Sequence, residues 1–166
     1  THRLQVGTVP VGGGAPVSVQ SMCTTKTSDP ATTLKQIRGL ASEGCEIIRV
    51  AIPSFHELDG FEAICAESPL PVVADIHFDY KLAIEASRRG AAALRINPGN
   101  VGSFERVDAI IEAAGEVGIP IRIGVNAGSL DPAVADREDL TLPEKLVASA
   151  LSFVAHFDVR GFDDVV

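Results

Sequence analysis

The stretch that decides the fold is Pro71–Asn100, which reads PVVADIHFDYKLAIEASRRGAAALRINPGN. It contains two short apolar runs, Val72–Phe78 and Ala92–Asn97, and each has the length and composition typical of a buried β-strand. Between them, Asp79 is a favourable N-cap for a helix, and Gly90 can adopt the left-handed conformation that ends one. Two strands joined by a crossover helix lie parallel in one sheet. The stretch therefore predicts a βαβ unit.

The same alternation extends over most of the chain, with glycines before strands and favourable cap residues before helices. The further strand candidates are Val17–Met22, Ile47–Ile52, Ile121–Asn126 and the first residues of a sixth strand, Val165–Val166. The glycines predicted to end helices are Gly44, Gly90 and Gly118. The other predicted helix starts are at Asp29, at Ser103, and at two capping-box spacings, Ser54–Glu57 and Thr141–Glu144.

Repeated βα units fit either an open doubly wound sheet or a (β/α)8 barrel. No glycine-rich phosphate-binding motif follows the first strand, and polar residues recur in strand after strand, which favours the barrel. Because a full barrel takes roughly 250 residues, this chain holds about five and a half of the eight units. The predicted fold class is α/β, an incomplete TIM-type barrel over residues 17–166. Residues 1–16 are predicted to form an N-terminal β-hairpin that closes the bottom of the barrel.

Composition and charge exclude several classes of function. The net charge of −8 argues against general binding to nucleic acid or to acidic membranes. No apolar run approaches the ~20 residues that span a bilayer, and no signal segment precedes the first strand, so we expect a cytoplasmic protein. The three cysteines, Cys23, Cys45 and Cys65, have no metal-ligand spacing, and no metal site is predicted.

Polar side chains recur on one face of the predicted strands, because residues two apart along a strand share a face. The members of this set are Gln20, Ser21, Arg49, Asp75, His77, Arg95, Asn97, Arg122 and Asn126. We expect them to face the barrel axis near the carboxyl ends of the strands. In barrels of this type, active sites form at that end.

Three arginines of this set stand against one acid, Asp75. Burying a guanidinium group without a partner is costly, and guanidinium groups bind phosphate oxygens bidentately. The balance predicts an anionic ligand, helped by N–H groups of the glycine turns Asn97–Asn100 and Asn126–Ser129. The alternative is structural: acids in the barrel strands missing from this chain pair the arginines, and His77 is a hydrogen-bonded core histidine.

Four motifs resemble the 4-hydroxy-3-methylbut-2-enyl diphosphate synthase family, the iron–sulfur enzymes of the methylerythritol phosphate route to isoprenoids. They are VQSM (Val19–Met22), VADIHFDY (Val73–Tyr80), LRINPGN (Leu94–Asn100) and PIRIGVNAGSL (Pro120–Leu130). The resemblance implies an oxidoreductase whose barrel binds methylerythritol cyclodiphosphate and which takes electrons from ferredoxin or flavodoxin. It also implies a homodimer and a [4Fe–4S] cluster in a separate C-terminal domain, which is absent from this chain. This segment is accordingly expected to bind no cofactor itself and to be inactive alone.

Residue by residue, the resemblance places Arg49, Arg95 and Arg122 on the diphosphate-binding arginines. Asn126 falls on a substrate-contacting asparagine, and we assign Asn97 to substrate binding as well. Asp75 and His77 are candidate catalytic residues that steer a proton or hydrogen-bond the departing oxygen. Two alternatives stay open at this point: a pterin-binding barrel of the dihydropteroate synthase type, and an inert truncated fragment.

Overall fold

The computed structural model describes residues 2–130 and 132–166, and there the predicted alternation of strands and helices is present. The strands are β1 (Arg3–Val6), β2 (Val9–Gly12), β3 (Gln20–Met22), β4 (Ile47–Ala51), β5 (Val72–Ile76), β6 (Ala93–Ile96) and β7 (Ile121–Ile123). The helices are α1 (Pro30–Ser42), α2 (Leu58–Glu67), α3 (Tyr80–Arg88), α4 (Pro98–Val101), α5 (Phe104–Val117), α6 (Pro132–Ala135) and α7 (Leu142–Val159).

Strands β3 to β7 form a parallel five-stranded sheet in their order along the chain, as successive βα units require. A parallel bridge between Ile121 and Val165 adds the start of the predicted sixth strand at the β7 edge. The α/β fold class and the parallel sheet of an incomplete barrel are therefore confirmed. The first strand is shorter than predicted, because Val17 is 96% exposed and lies outside the ladder, which begins at Gln20.

Local signals in the sequence fix most helix ends. Gly44, Gly90 and Gly118 have φ angles of 92°, 92° and 70°, the left-handed conformation that their positions predicted. At Thr141 the predicted capping box is formed, with its backbone N–H donated to Glu144 Oε2 over 2.8 Å. Other confirmed caps are Asp29, which accepts from the Thr32 amide, and Asp79, which accepts from the Lys81 amide.

The capping box predicted at Ser54 is wrong. The Glu57 amide donates to the Ser54 carbonyl oxygen three residues back, so residues Phe55–Glu57 wind as a 3-10 turn. The Ser54 side chain makes no capping hydrogen bond, and α2 begins only at Leu58.

The two faces of the sheet have different neighbours, and the alternation along each strand decides which residues meet them. The outer face packs on the helices through residues such as Ile48, Ile76 and Leu94, all of which are fully buried. The opposite face, called the inner face below, carries a smaller cluster at the amino ends of the strands. There the hairpin residues Leu4 and Val6 pack with Ile47, Val73 and Ala93.

The hairpin predicted at the N-terminus is confirmed, since β1 and β2 pair antiparallel. Its contacts lie at the amino ends of the strands, opposite the end expected to bind ligands. That the hairpin closes the bottom of a complete barrel stays a prediction. The sheet already curls around its inner face, because Gln20 on its first strand reaches Arg122 on its fifth, with 3.3 Å between Oε1 and Nη1.

Candidate functional site

Asp75 is the centre of the polar group on the inner face, and its side chain is only 2% exposed. Its two carboxylate oxygens have different partners. Arg95 Nη1 donates to Oδ1 over 3.0 Å, and Arg49 Nε lies 3.2 Å from Oδ2. Parallel pairing brings these side chains together, because Asp75 stands opposite Arg95 in the ladder between β5 and β6.

This geometry gives two of the arginines a structural partner, which lies within this chain and not in the missing strands of the structural alternative. Two of the three arginines, Arg49 and Arg95, share one carboxylate, so neither is a buried charge without a partner. The third, Arg122, is exposed and donates to the neutral amide oxygen of Gln20. Three guanidinium groups and one carboxylate leave this group with a surplus of two positive charges. On a chain with a net charge of −8, that surplus is a local attraction for anions.

His77 extends the group toward the solvent. Its Nε2 lies 3.5 Å from Asp75 Oδ2, and its side chain is 44% exposed, so it is not a core histidine. Arg49 also donates to the sulfur of Met22, with 3.1 Å between Nη2 and Sδ. Through these contacts, one buried carboxylate orients both an imidazole and two guanidinium groups toward the same side of the sheet.

Gly124 is a member of the site that sequence reasoning did not identify as such. A Cβ atom built on Gly124 would lie 2.5 Å from Arg95 Nη2 and 2.7 Å from Cζ, well inside van der Waals contact. Only glycine leaves room for this guanidinium group where it lies. The sequence does put Gly124 on the inner face, two residues after Arg122, but the approach of Arg95 from the neighbouring strand is a feature of the fold.

The two predicted site asparagines lie on neighbouring turns and are joined by a serine. Asn97 Nδ2 donates to Ser129 Oγ over 2.5 Å, and Ser129 Oγ donates to Asn126 Oδ1 over 2.8 Å. Asn97 is fully buried whereas Asn126 is exposed. Sequence reasoning missed Ser129, whose only signal was its place in the second glycine turn. Direct contact of Asn97 with a ligand stays a prediction, and its burial favours an indirect role.

The glycine turns differ from what the sequence predicted. The first is one turn of helix, α4, and Gly99 within it packs so closely on the Ser129 backbone that a Cβ would lie 2.8 Å from that carbonyl carbon. In the second, the Gly128 amide donates to Asn126 Oδ1 over 3.0 Å. The expectation that this N–H group faces a bound anion is therefore wrong, because the turn itself uses it.

The cysteines lie away from this group. Cys23 and Cys45 are buried, and Cys23 packs on the helix side of the sheet with Leu34 and Ile37. Burial raises the pKa of the Cys23 thiol to about 11 and that of Cys65 to about 12. In residues 2–130 and 132–166, no three His, Cys, Asp or Glu side chains are grouped as metal ligands. These residues do not fit an iron–sulfur cluster, which needs several thiolates at one place.

Fold and site together define a barrel-type α/β protein whose inner face carries an arginine-rich, anion-attracting group. The chain belongs to the family of the GcpE TIM-barrel domain, whose model matches residues 1–166. The family resemblance carried by the four sequence motifs is thus confirmed.

Curated relatives agree over nearly the whole chain. A protein of Geobacter sulfurreducens is 48% identical over 165 residues, covering 99% of this chain and 47% of the relative. A protein of Frankia alni is 51% identical over 166 residues, covering 99% of this chain and 43% of the relative. Both are named 4-hydroxy-3-methylbut-2-en-1-yl diphosphate synthase (flavodoxin). The chain spans about half the length of the curated relatives it matches.

Solved structures resemble the chain in fold. A dihydropteroate synthase of Xanthomonas albilineans, with 4-aminobenzoic acid, gives a TM-score of 0.64 at 14% identity and covers 98% of this chain and 64% of that one. A dihydropteroate synthase of Yersinia pestis gives 0.53 at 17% identity, over 74% of this chain and 49% of that one. At such identities the likeness concerns the fold alone. No helix in the described part of the chain has the length and hydropathy to cross a membrane.

Proposed function

We propose that this chain is the substrate-binding barrel segment of a 4-hydroxy-3-methylbut-2-en-1-yl diphosphate synthase. Its substrate would be methylerythritol cyclodiphosphate, which takes up two electrons and two protons as the ring opens and a hydroxyl group leaves as water. The observation that carries the proposal is the set of three inner-face arginines, two of which are paired with one buried carboxylate. Family membership and relatives of that name support it.

In this proposal the arginines divide the work of binding the diphosphate. Among the described residues, exposed Arg122 pairs only with the neutral amide of Gln20, so it offers its charge to the ligand without breaking an ion pair. Arg49 and Arg95 each use one nitrogen on Asp75 and keep other N–H groups for phosphate oxygens. Asp75 then acts as the residue that orients the two guanidinium groups before the ligand arrives.

The candidate catalytic pair separates into two roles. Asp75 is buried and engaged by two arginines, so its position suits orientation better than proton transfer. His77 is half exposed at the solvent side of Asp75 and is the better placed of the two to give a proton to the departing oxygen. We therefore propose His77 as the proton donor and Asp75 as its positioning partner.

The electrons would come from flavodoxin, which the names of the relatives include, or from ferredoxin. A [4Fe–4S] cluster would deliver them to the substrate, and its ligands would lie outside residues 1–166, since the described residues of this segment do not fit a cluster. We further propose that the complete enzyme is a homodimer, and that it works in the cytoplasm. The segment alone would bind substrate weakly and show no turnover.

The pterin-binding alternative has only the shared fold in its favour, at 14% to 17% identity. The two readings separate in one experiment, isothermal titration of the full-length protein with methylerythritol cyclodiphosphate and with a pterin diphosphate. We expect the cyclic diphosphate to bind and the pterin not to bind. Saturable binding of the pterin, with no binding of the cyclic diphosphate, would contradict the proposal.

Arginine variants link that binding to the site. Arg122→Met should weaken binding of the cyclic diphosphate by about tenfold or more, since ~1.4 kcal/mol is a factor of ten. The matched control is Arg88→Met on α3, which removes an exposed arginine paired with Glu116 on the outer surface. Its affinity should match that of the wild type. Equal losses in the two variants would show that the arginines act only through the overall charge of the protein.

A further inference from the structure

The side chain of Asn126 has a defined orientation, although it stands on an exposed turn. Its Oδ1 lies 3.0 Å from the backbone nitrogen of Gly128, and a backbone N–H group can only donate. The atom that faces Gly128 must therefore be the amide oxygen. The amide nitrogen Nδ2 then points away from the turn.

A serine hydroxyl holds the same oxygen from a second side. Ser129 Oγ lies 2.8 Å from Asn126 Oδ1, and because that atom only accepts, the hydroxyl proton must point toward it. Ser129 Oγ must then accept from its remaining neighbour, Asn97, whose Nδ2 is 2.5 Å away. Ser129 is nine-tenths buried and Asn97 is fully buried, so water does not compete for the hydrogen bond between these two side chains.

The Gly128 amide fixes the direction of the hydrogen bonds that link Asn97, Ser129 and Asn126. Protons are donated from Asn97 to Ser129 and from Ser129 to Asn126. The amide nitrogen of Asn126 carries two N–H donors that pair with none of the described residues. Close packing of Gly99 on the Ser129 backbone holds the two turns together. At the other end of this series, the amide oxygen of Asn97, Oδ1, is buried and has no hydrogen-bond partner among the described residues.

We propose that Ser129 is a positioning residue that fixes the polarity of Asn126, so that Asn126 presents an amide donor to an anionic oxygen of the ligand. Asn97 acts through Ser129 rather than on the ligand. The proposal rests on the proposed function, because it takes the ligand of this face to be a diphosphate. It adds the chemical requirement that the ligand group opposite Asn126 is an acceptor.

Asn126→Asp tests the polarity with almost no change of shape. One carboxylate oxygen of the new aspartate still accepts from the Gly128 amide and the Ser129 hydroxyl. The thermal stability of Asn126→Asp should therefore equal or exceed that of the wild type, whereas Asn126→Ala should lower it. The other oxygen replaces the N–H donors with a negative acceptor. We expect Asn126→Asp to bind methylerythritol cyclodiphosphate at least tenfold more weakly than Asn126→Ala does in isothermal titration of the full-length protein. The control is Gln5→Glu, the same chemical change on the exposed face of the hairpin, which should leave affinity unchanged.

Ser129→Ala tests the positioning role. It should weaken binding several-fold in the wild type but add nothing to Asn126→Ala, because Ser129 acts through that side chain. Ser87→Ala removes another buried hydroxyl, which on α3 donates to the Ile84 carbonyl oxygen, and should not alter binding. A merely structural Ser129 would give losses that add in the double variant.

Three results overturn the proposal: Asn126→Asp binding as well as Asn126→Ala, additive losses in the double variant, or Asn126→Asp unfolding at as low a temperature as Asn126→Ala. The last result would show that the oxygen does not face the two donors. It needs no ligand, so it decides the orientation of Asn126 even if the wild type fails to bind the cyclic diphosphate and the proposed function is wrong.

Discussion

Gly124→Ala is expected to disable the site while leaving the fold intact. The backbone of Gly124 has no positive φ, so alanine can adopt its conformation without strain. The new methyl carbon would lie 2.5 Å from Arg95 Nη2 and 2.7 Å from Cζ. Ordinary contact is about 3.5–4.0 Å, so the guanidinium group must move by roughly 1 Å. A guanidinium group at the end of a flexible side chain can make that movement, whereas the sheet keeps its place.

The cost is expected to fall mainly on binding. The displaced guanidinium loses its 3.0 Å hydrogen bond to Asp75, and a hydrogen bond to a charged group contributes about 1.5–3 kcal/mol. Asp75 keeps Arg49, and Arg95 is 14% exposed and can find water, so we expect stability to fall by about 1 kcal/mol. For the ligand, the loss of one charge-assisted hydrogen bond to Arg95, about 1.5–3 kcal/mol, weakens binding by roughly 10- to 100-fold.

The assay combines isothermal titration with methylerythritol cyclodiphosphate and urea unfolding of the full-length protein. The control is Gly115→Ala on α5, where a Cβ meets nothing within 4 Å; it should raise stability slightly and leave affinity unchanged. If Gly124→Ala acts by moving Arg95, the variant carrying both Gly124→Ala and Arg95→Met should bind no more weakly than Arg95→Met alone. Wild-type affinity in Gly124→Ala, or additive losses in the double variant, would refute the reasoning.

Three further predictions concern the same chain. Arg95→Met should weaken binding at least ~30-fold in isothermal titration, with Arg95→Lys between it and the wild type because lysine keeps the charge but loses the bidentate fork; equal affinities would remove Arg95 from the site. Asp75→Asn should lower the free energy of unfolding, measured in urea, by about 3 kcal/mol. It should strengthen the binding of inorganic pyrophosphate, because the local surplus rises from two positive charges to three, and weaker binding would show that Asp75 itself contacts the ligand. Burial raises the pKa values of Cys23 and Cys65 to about 11 and about 12, so both thiols stay protonated at pH 8. Iodoacetamide should therefore label them roughly 100-fold more slowly in the folded protein than in urea, and equal labelling rates by mass spectrometry would contradict their burial.

The layers of the fold follow from short-range rules that operate within a few residues. Alternation along β4 puts Arg49 on the opposite face from Ile48 and Val50. In the structure, Ile48 and Val50 are both buried in the core between the sheet and the helices. A glycine such as Gly118 ends its helix because of its own backbone freedom, which no distant residue supplies. Ser54 shows the limit of such rules: the capping-box spacing is present, but competing i to i+3 hydrogen bonds turn the segment into a 3-10 helix.

The contents of the site depend on which strands become neighbours and in what register. Charge counting along the chain showed three arginines and one acid, but not that Arg49 and Arg95 approach that acid from opposite sides. Those contacts arise because β5 lies between β4 and β6.

The roles of Gly124 and Ser129 have the same origin, since each is defined by a partner about thirty residues away in sequence. Gly124 matters only because a parallel ladder puts Arg95 beside β7, and Ser129 matters only because the turn after β6 packs on the turn after β7. If Gly124 and a nearby alanine exchanged places, the composition would stay the same and every argument from the sequence for an anion site would still apply. The exchange would nevertheless remove the space in which the arginine lies. The binding function therefore depends on space left open between strands as much as on the charged residues themselves.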